Sequence, residues 1–190
     1  MLSLMGKRPS FMPEVIEIAR RQLDRTDNMT DAETALHCLV EAGGDAREAA
    51  LADFYAKWKH EPLVIDKWFT VQAVSSGTDT LERVIALCGH PDFTLKNPNR
   101  VRSLLGAFSV RNQAQFHAAD GRGYALLADH VLELDARNPQ AAARLLGPLG
   151  HWQRFDAGRR ERMREQLARI VGQSGLSRDV LELTTKALGG

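Results

Sequence analysis

Four times along this chain, apolar residues recur at positions i, i+3, i+4 and i+7, the stripe that buries one face of a helix. Leu51, Phe54, Tyr55 and Trp58 form one such stripe, and Leu81, Val84, Ile85 and Cys88 another. Val101, Leu104, Leu105 and Phe108 form a third, and Ala142, Leu145, Leu146 and Leu149 a fourth. Ile65, Trp68 and Phe69 begin a fifth, where Gln72 stands at the position expected to be apolar. The same periodicity predicts helices over 14–23, 31–42, 123–137, 157–171 and 177–188. No stretch sustains the period-two alternation of a half-buried strand, so a sheet is not expected.

The punctuation between stripes agrees. Thr30 and Glu33 have capping-box spacing, and Asp79 and Glu82 repeat it with an aspartate leading. Asn97-Pro98 and Asn138-Pro139 each set a good N-cap before a proline at the first helical position. Gly43-Gly44, Gly89 and Gly150 are read as stops for the helices before them. About ten helices of ordinary length, joined by short connections, predict an all-α fold. The helices around Trp68 and Leu105 look apolar on more than one side, as expected of helices sandwiched between neighbours. The sequence therefore favours a superhelical stack of antiparallel helix pairs, a HEAT- or armadillo-like α-solenoid, over a closed bundle.

Charge narrows the function classes. Lys plus Arg number 25 and Asp plus Glu 24, so no global field recruits nucleic acid or an anionic membrane. No uninterrupted apolar run is long enough to span a bilayer, and residues 1–12 lack the apolar centre of a signal peptide. Cys38 and Cys88 stand apart without C-x-x-C spacing and read as reduced, buried thiols suited to a cytoplasmic protein, with a disulfide between them the lesser alternative.

Several motifs dissolve on inspection. His60-Glu61 begins like the zinc-protease motif H-E-x-x-H, but four residues on stands Val64, which cannot ligate a metal, and Pro62 interrupts the frame. No two of the six histidines have metal-ligand spacing on one helix. His117 and Asp120 are close enough in sequence to pair, yet no serine or cysteine marks itself as their nucleophile. Gly121-Arg122-Gly123 reads as a turn, and Thr30 in the sequon Asn28-Met29-Thr30 reads as a helix cap. The arginine-rich run 154–169 carries no interleaved aromatics and reads as a solvated helix face rather than an RNA-binding patch. Trp68, Phe69, Phe108 and Phe116 read as core. Arg102 and Arg144 each sit beside an apolar stripe. Such an arginine can snorkel to water, or present its planar fork to a carboxylate inside a cleft.

DNMTD (27–31), PLVIDKWFTVQA (62–73), HPDFTLKNPNRVRSLLGAF (90–108), FHAADGRGYALL (116–127) and LDARNPQAAARLLGPL (134–149) together resemble the C-terminal domain of bacterial aminopeptidase N, of the gluzincin-type zinc aminopeptidases. The resemblance runs in order over 27–190; residues 1–26, with a first helix, match poorly. It implies a superhelical domain that closes a chamber over the active site of an enzyme removing N-terminal residues from peptides. It also implies that the zinc and its ligands belong to the parent enzyme's catalytic domain, leaving this chain without catalytic residues or cofactor of its own. By the same resemblance, Arg102 and Arg144 match chamber-facing positions that help position peptide substrate. The implied partners are that catalytic domain and peptide substrates. The alternative is a free-standing helical-repeat scaffold for protein interaction without peptidase activity; a nucleic-acid-binding array using the 159–169 face is a more distant third.

Overall fold

The computed structural model describes residues 12–189. The segment 1–11, on which most of the signal-peptide reading rests, lies outside the described residues. The helices are α1 Met12–Arg25, α2 Met29–Ala42, α3 Gly44–Trp58, α4 Pro62–Ala73 and α5 Thr80–Cys88. Next, α6 Pro98–Val101 runs without a break through a π-helical segment, Arg102–Gly106, into α7 Ala107–Arg111. The short α8 Gln113–Phe116 leads to α9 Arg122–Asp135 and α10 Pro139–Leu146, which continues as 3-10 helix over Gly147–Arg154. Finally come α11 Ala157–Val171 and α12 Arg178–Gly189. Taking 98–111 as one run, ten helices reach eight residues or more among the described residues, and no strand forms there.

Neighbours in sequence pack together, α1 on α2, α2 on α3, α9 on α10 and α11 on α12. The next-but-one helices also touch, α2 with α4, α9 with α11 and α10 with α12. That pattern is a layered stack of helix pairs, and one continuous apolar core runs through it. The helices expected to be enclosed are enclosed. In α4, Ile65, Trp68, Phe69, Val71 and Ala73 are all buried, around more than half of the helix. Phe69, Phe108 and Phe116 are core residues with essentially no exposure. Gln72 keeps its place in the core by bonding: its amide donates to the Trp68 carbonyl at 3.0 Å.

Some punctuation falls elsewhere than expected. The cap of α2 is Asn28, whose side chain accepts from the Asp31 N–H at 2.9 Å; Thr30 is already inside the helix. Asn28 wins because its extended backbone lets the helix begin two residues earlier. Asp79 does not cap α5, because Arg47 takes its carboxylate with both guanidinium nitrogens, at 3.1 and 2.6 Å. Gly150 does not stop a helix but lies within the 3-10 extension of α10. Asn97 and Asn138 cap as expected, the first receiving N–H groups of Asn99 and Arg100, the second that of Ala141.

The turn expected at 121–123 lies at 119–120 instead, and Gly121, which caps α9, and Gly123, in its first turn, are required by close approach. Gly121 has φ of 73°, and a side chain there would meet the Arg162 stem. A Cβ at Gly123 would lie 2.6 Å from the Phe116 carbonyl oxygen. The arginine run is a largely solvated face, as expected, with Arg154, Arg160, Arg162, Arg164 and Arg169 exposed and Arg159 half-buried, and it also makes specific bonds. Arg159 and Arg162 donate to the carbonyls of His117 and Ala119 at 2.6 and 2.7 Å, and Arg169 pairs with Asp129 at 2.6 Å. Helix α11 is thereby strapped across the 117–129 region.

Candidate functional site

The groove between the 98–111 run and α10 is built from two similar starts. Asn97 and Pro98 launch one helix; Asn138 and Pro139 launch the other. Arg102 follows one turn after the first cap, and Arg144 comes in the last turn of the second helix. The structure brings both to the wall of one open groove of about 580 Å³. Arg111 joins them there, with Val110, Leu145 and Ala107 as apolar walls. Val110 is 59% exposed, conspicuous for a β-branched apolar residue among otherwise buried neighbours.

No acidic side chain lines this groove. Arginines elsewhere, among them Arg20, Arg47, Arg83 and Arg169, hold carboxylates. Among the described residues none of the three groove arginines makes an ion pair; Arg102 donates only to the Asn99 side-chain oxygen, at 2.9 Å. Three guanidinium groups without a counter-charge make a concave surface suited to a carboxylate or to peptide carbonyls.

Beneath the groove the backbone departs from regular helix. The Ala107 N–H reaches the carbonyl of Arg102, five residues back, which defines the π turn. Arg100, which follows the exposed Pro98 and Asn99, points inward instead. It bonds the Asp66 carboxylate at 2.8 Å and lies over the Phe69 ring at 5.0 Å.

The sequence brought Arg102 and Arg144 forward but missed Arg111. Nine residues separate Arg102 from Arg111, and at 3.6 residues per turn that sets them about 180° apart on a regular helix. One extra residue in a π turn rotates Arg111 back by about 100°, which brings it toward the Arg102 side. Periodicity alone carries no signal for that rotation.

Other sequence candidates are not brought together. His117 does not pair with Asp120; its Nδ1 meets the Tyr124 hydroxyl at 2.9 Å, and its ring stacks on Phe155. Asp120 instead accepts from the Arg122 N–H. Burial holds the His117 imidazole below its ordinary range, with the Arg159 guanidinium adding to the effect. Cys38 and Cys88 are unpaired, and burial pushes the Cys88 thiol up to about 12, the state of an inert thiol. Among the described residues no three His, Cys, Asp or Glu side chains gather closely enough to hold a metal ion. No helix there is long and apolar enough to cross a membrane.

Residues 2–189 match the profile of a family described as a domain of unknown function (DUF3458_C) with ARM repeats. The chain is 52% identical over 162 residues to aminopeptidase N of Caulobacter vibrioides, covering 85% of this chain and 19% of that protein. With aminopeptidase N of Escherichia coli it shares 45% identity over 171 residues, 90% of this chain and 20% of that one. A crystal structure of Legionella pneumophila aminopeptidase A, in complex with aspartic acid, superposes with a TM-score of 0.89 at 36% identity. The match covers 93% of this chain and 21% of that one. The chain thus spans about a fifth of the length of the relatives it matches.

Proposed function

The chain belongs to the family described as DUF3458_C, with ARM repeats, and from that premise we propose that it is a non-catalytic helical domain of a cytoplasmic zinc aminopeptidase. The observation that carries this reading is the 42–52% identity with part of three aminopeptidase N sequences over most of the chain. In this reading the domain packs on the catalytic domain of its parent, closes a chamber over the active site, and helps position peptide substrate. The zinc that supplies the parent's chemistry belongs with that catalytic domain. Alone, the chain does not hydrolyse peptides.

Arg102 and Arg144 carry the positioning role. Their guanidinium forks, on one acid-free groove, hold a peptide's terminal carboxylate or its backbone carbonyls. They take no part in breaking the bond, so their contribution is uniform binding and orientation. In the intact enzyme, Arg102→Ala should raise KM for free peptides by about tenfold or more, the worth of one charge-assisted hydrogen bond. Turnover of a small neutral amide substrate should barely change. Arg144→Ala should act in the same direction. Equal effects on both substrates would remove the assignment and favour a scaffold whose arginines are merely structural.

A further inference from the structure

Resting on the proposed role of Arg102, we propose that Thr70 and Asp66, on the neighbouring helix α4, are positioning residues that hold the π turn open and so aim Arg102 into the groove. In a regular helix the Ala107 N–H would close onto Ser103, four residues back. Here it closes onto Arg102, which deprives the Ser103 carbonyl of its ordinary partner. The Thr70 hydroxyl lies 3.0 Å from that carbonyl and 2.9 Å from the Asp66 carbonyl of its own helix, so its one proton is shared between the two. A buried carbonyl without a partner is costly, so this contact compensates the widened turn.

Asp66 lies one turn before Thr70, on the same face of α4. Its Oδ1 accepts from Arg100 at 2.8 Å and lies 3.4 Å from the Ser103 hydroxyl, whose nearer acceptor is the Arg100 carbonyl at 2.9 Å. The residues two before and one after Arg102 are therefore both tied to α4, while the Arg102 side chain stays exposed. Its stem passes over Gly106, where an added Cβ would lie 3.6 Å away. The frame is fixed and the charged fork is left free. π turns inside helices recur at functional sites, and here the turn both sets Arg102 and rotates Arg111.

The test compares Thr70→Val with Thr70→Ser in the intact enzyme that carries this domain, with melting temperature as a check of folding. Valine keeps the shape and removes the donor; serine keeps the donor. Thr70→Val should raise KM for free peptides about two- to tenfold, the span one neutral hydrogen bond commands, and leave kcat on a small neutral amide unchanged. Thr70→Ser should restore KM. In an Arg102→Ala background, Thr70→Val should add nothing further, because it acts through Arg102. A change that is equal for both substrates, or additive with Arg102→Ala, would overturn the proposal while leaving Arg102 in its role. Loss of the Arg102→Ala effect itself would overturn both.

Discussion

Single side chains in this protein earn their positions by satisfying backbone that the stack would otherwise strand. Asn112 is the plainest case. It is nearly fully buried, donates to the carbonyls of Ala73 and Ser75 at 3.0 and 2.8 Å, and accepts from the Gln115 N–H. Asn112→Ala should cost about 2–3 kcal/mol, since it strips a donor from the Ala73 carbonyl, leaves the Ser75 carbonyl with the Thr80 hydroxyl alone, and uncaps a helix start; urea denaturation reads this directly. His117 gives a prediction in pH. Its folded-state pKa is depressed by burial and by Arg159, so the unfolded chain takes up a proton where the folded chain does not. The stability that follows is whole above the unfolded pKa of about 6.5 and falls away as pH drops below it. Melting temperature should decline on acidification from pH 7 to 5, and His117→Gln should flatten that decline. An unchanged slope would show that other groups carry it.

Elements were legible where an apolar stripe was complete, and misread where a polar side chain had two possible uses. Asp79 has the spacing of a cap, but Arg47 claims it from 32 residues away, and no local pattern records that competition. Arginines 159, 162 and 169 sit on the solvated face the sequence suggests, but their acceptors, two carbonyls and a carboxylate about forty residues upstream, leave no local pattern. The turn read at 121–123 falls earlier, at Ala119 and Asp120: Gly121 caps α9, and Arg122 and Gly123 are already helical. Gly123→Ala should destabilise by about 1–3 kcal/mol, because its Cβ would collide with the Phe116 backbone rather than with a yielding side chain. The tie between α4 and the 98–111 run rests on the buried Arg100–Asp66 pair, with side chains 7% and 17% exposed. Asp66→Ala should cost about 3 kcal/mol by leaving a buried guanidinium uncompensated. Replacing both partners with leucine-sized apolar residues should recover most of that loss; thermal unfolding of single and double variants would decide it.

At the scale of the whole molecule, the all-α stack was legible in the sequence, because complete stripes and Asn-Pro starts fix helices without help from distant residues. Arg111, the π turn and the clamp from Thr70 were not readable, since each depends on how one helix sits against another. The shape that results is a groove-bearing wall with its charges unmatched, which makes sense as part of something larger. The most direct test is peptide turnover by the 190-residue chain, measured alone and after mixing with a catalytic portion of an aminopeptidase N that lacks this region. The expected result is no turnover alone and recovered or enhanced turnover of free peptides on mixing. Hydrolysis by the purified chain with zinc bound stoichiometrically, or mixing without any association, would contradict the account.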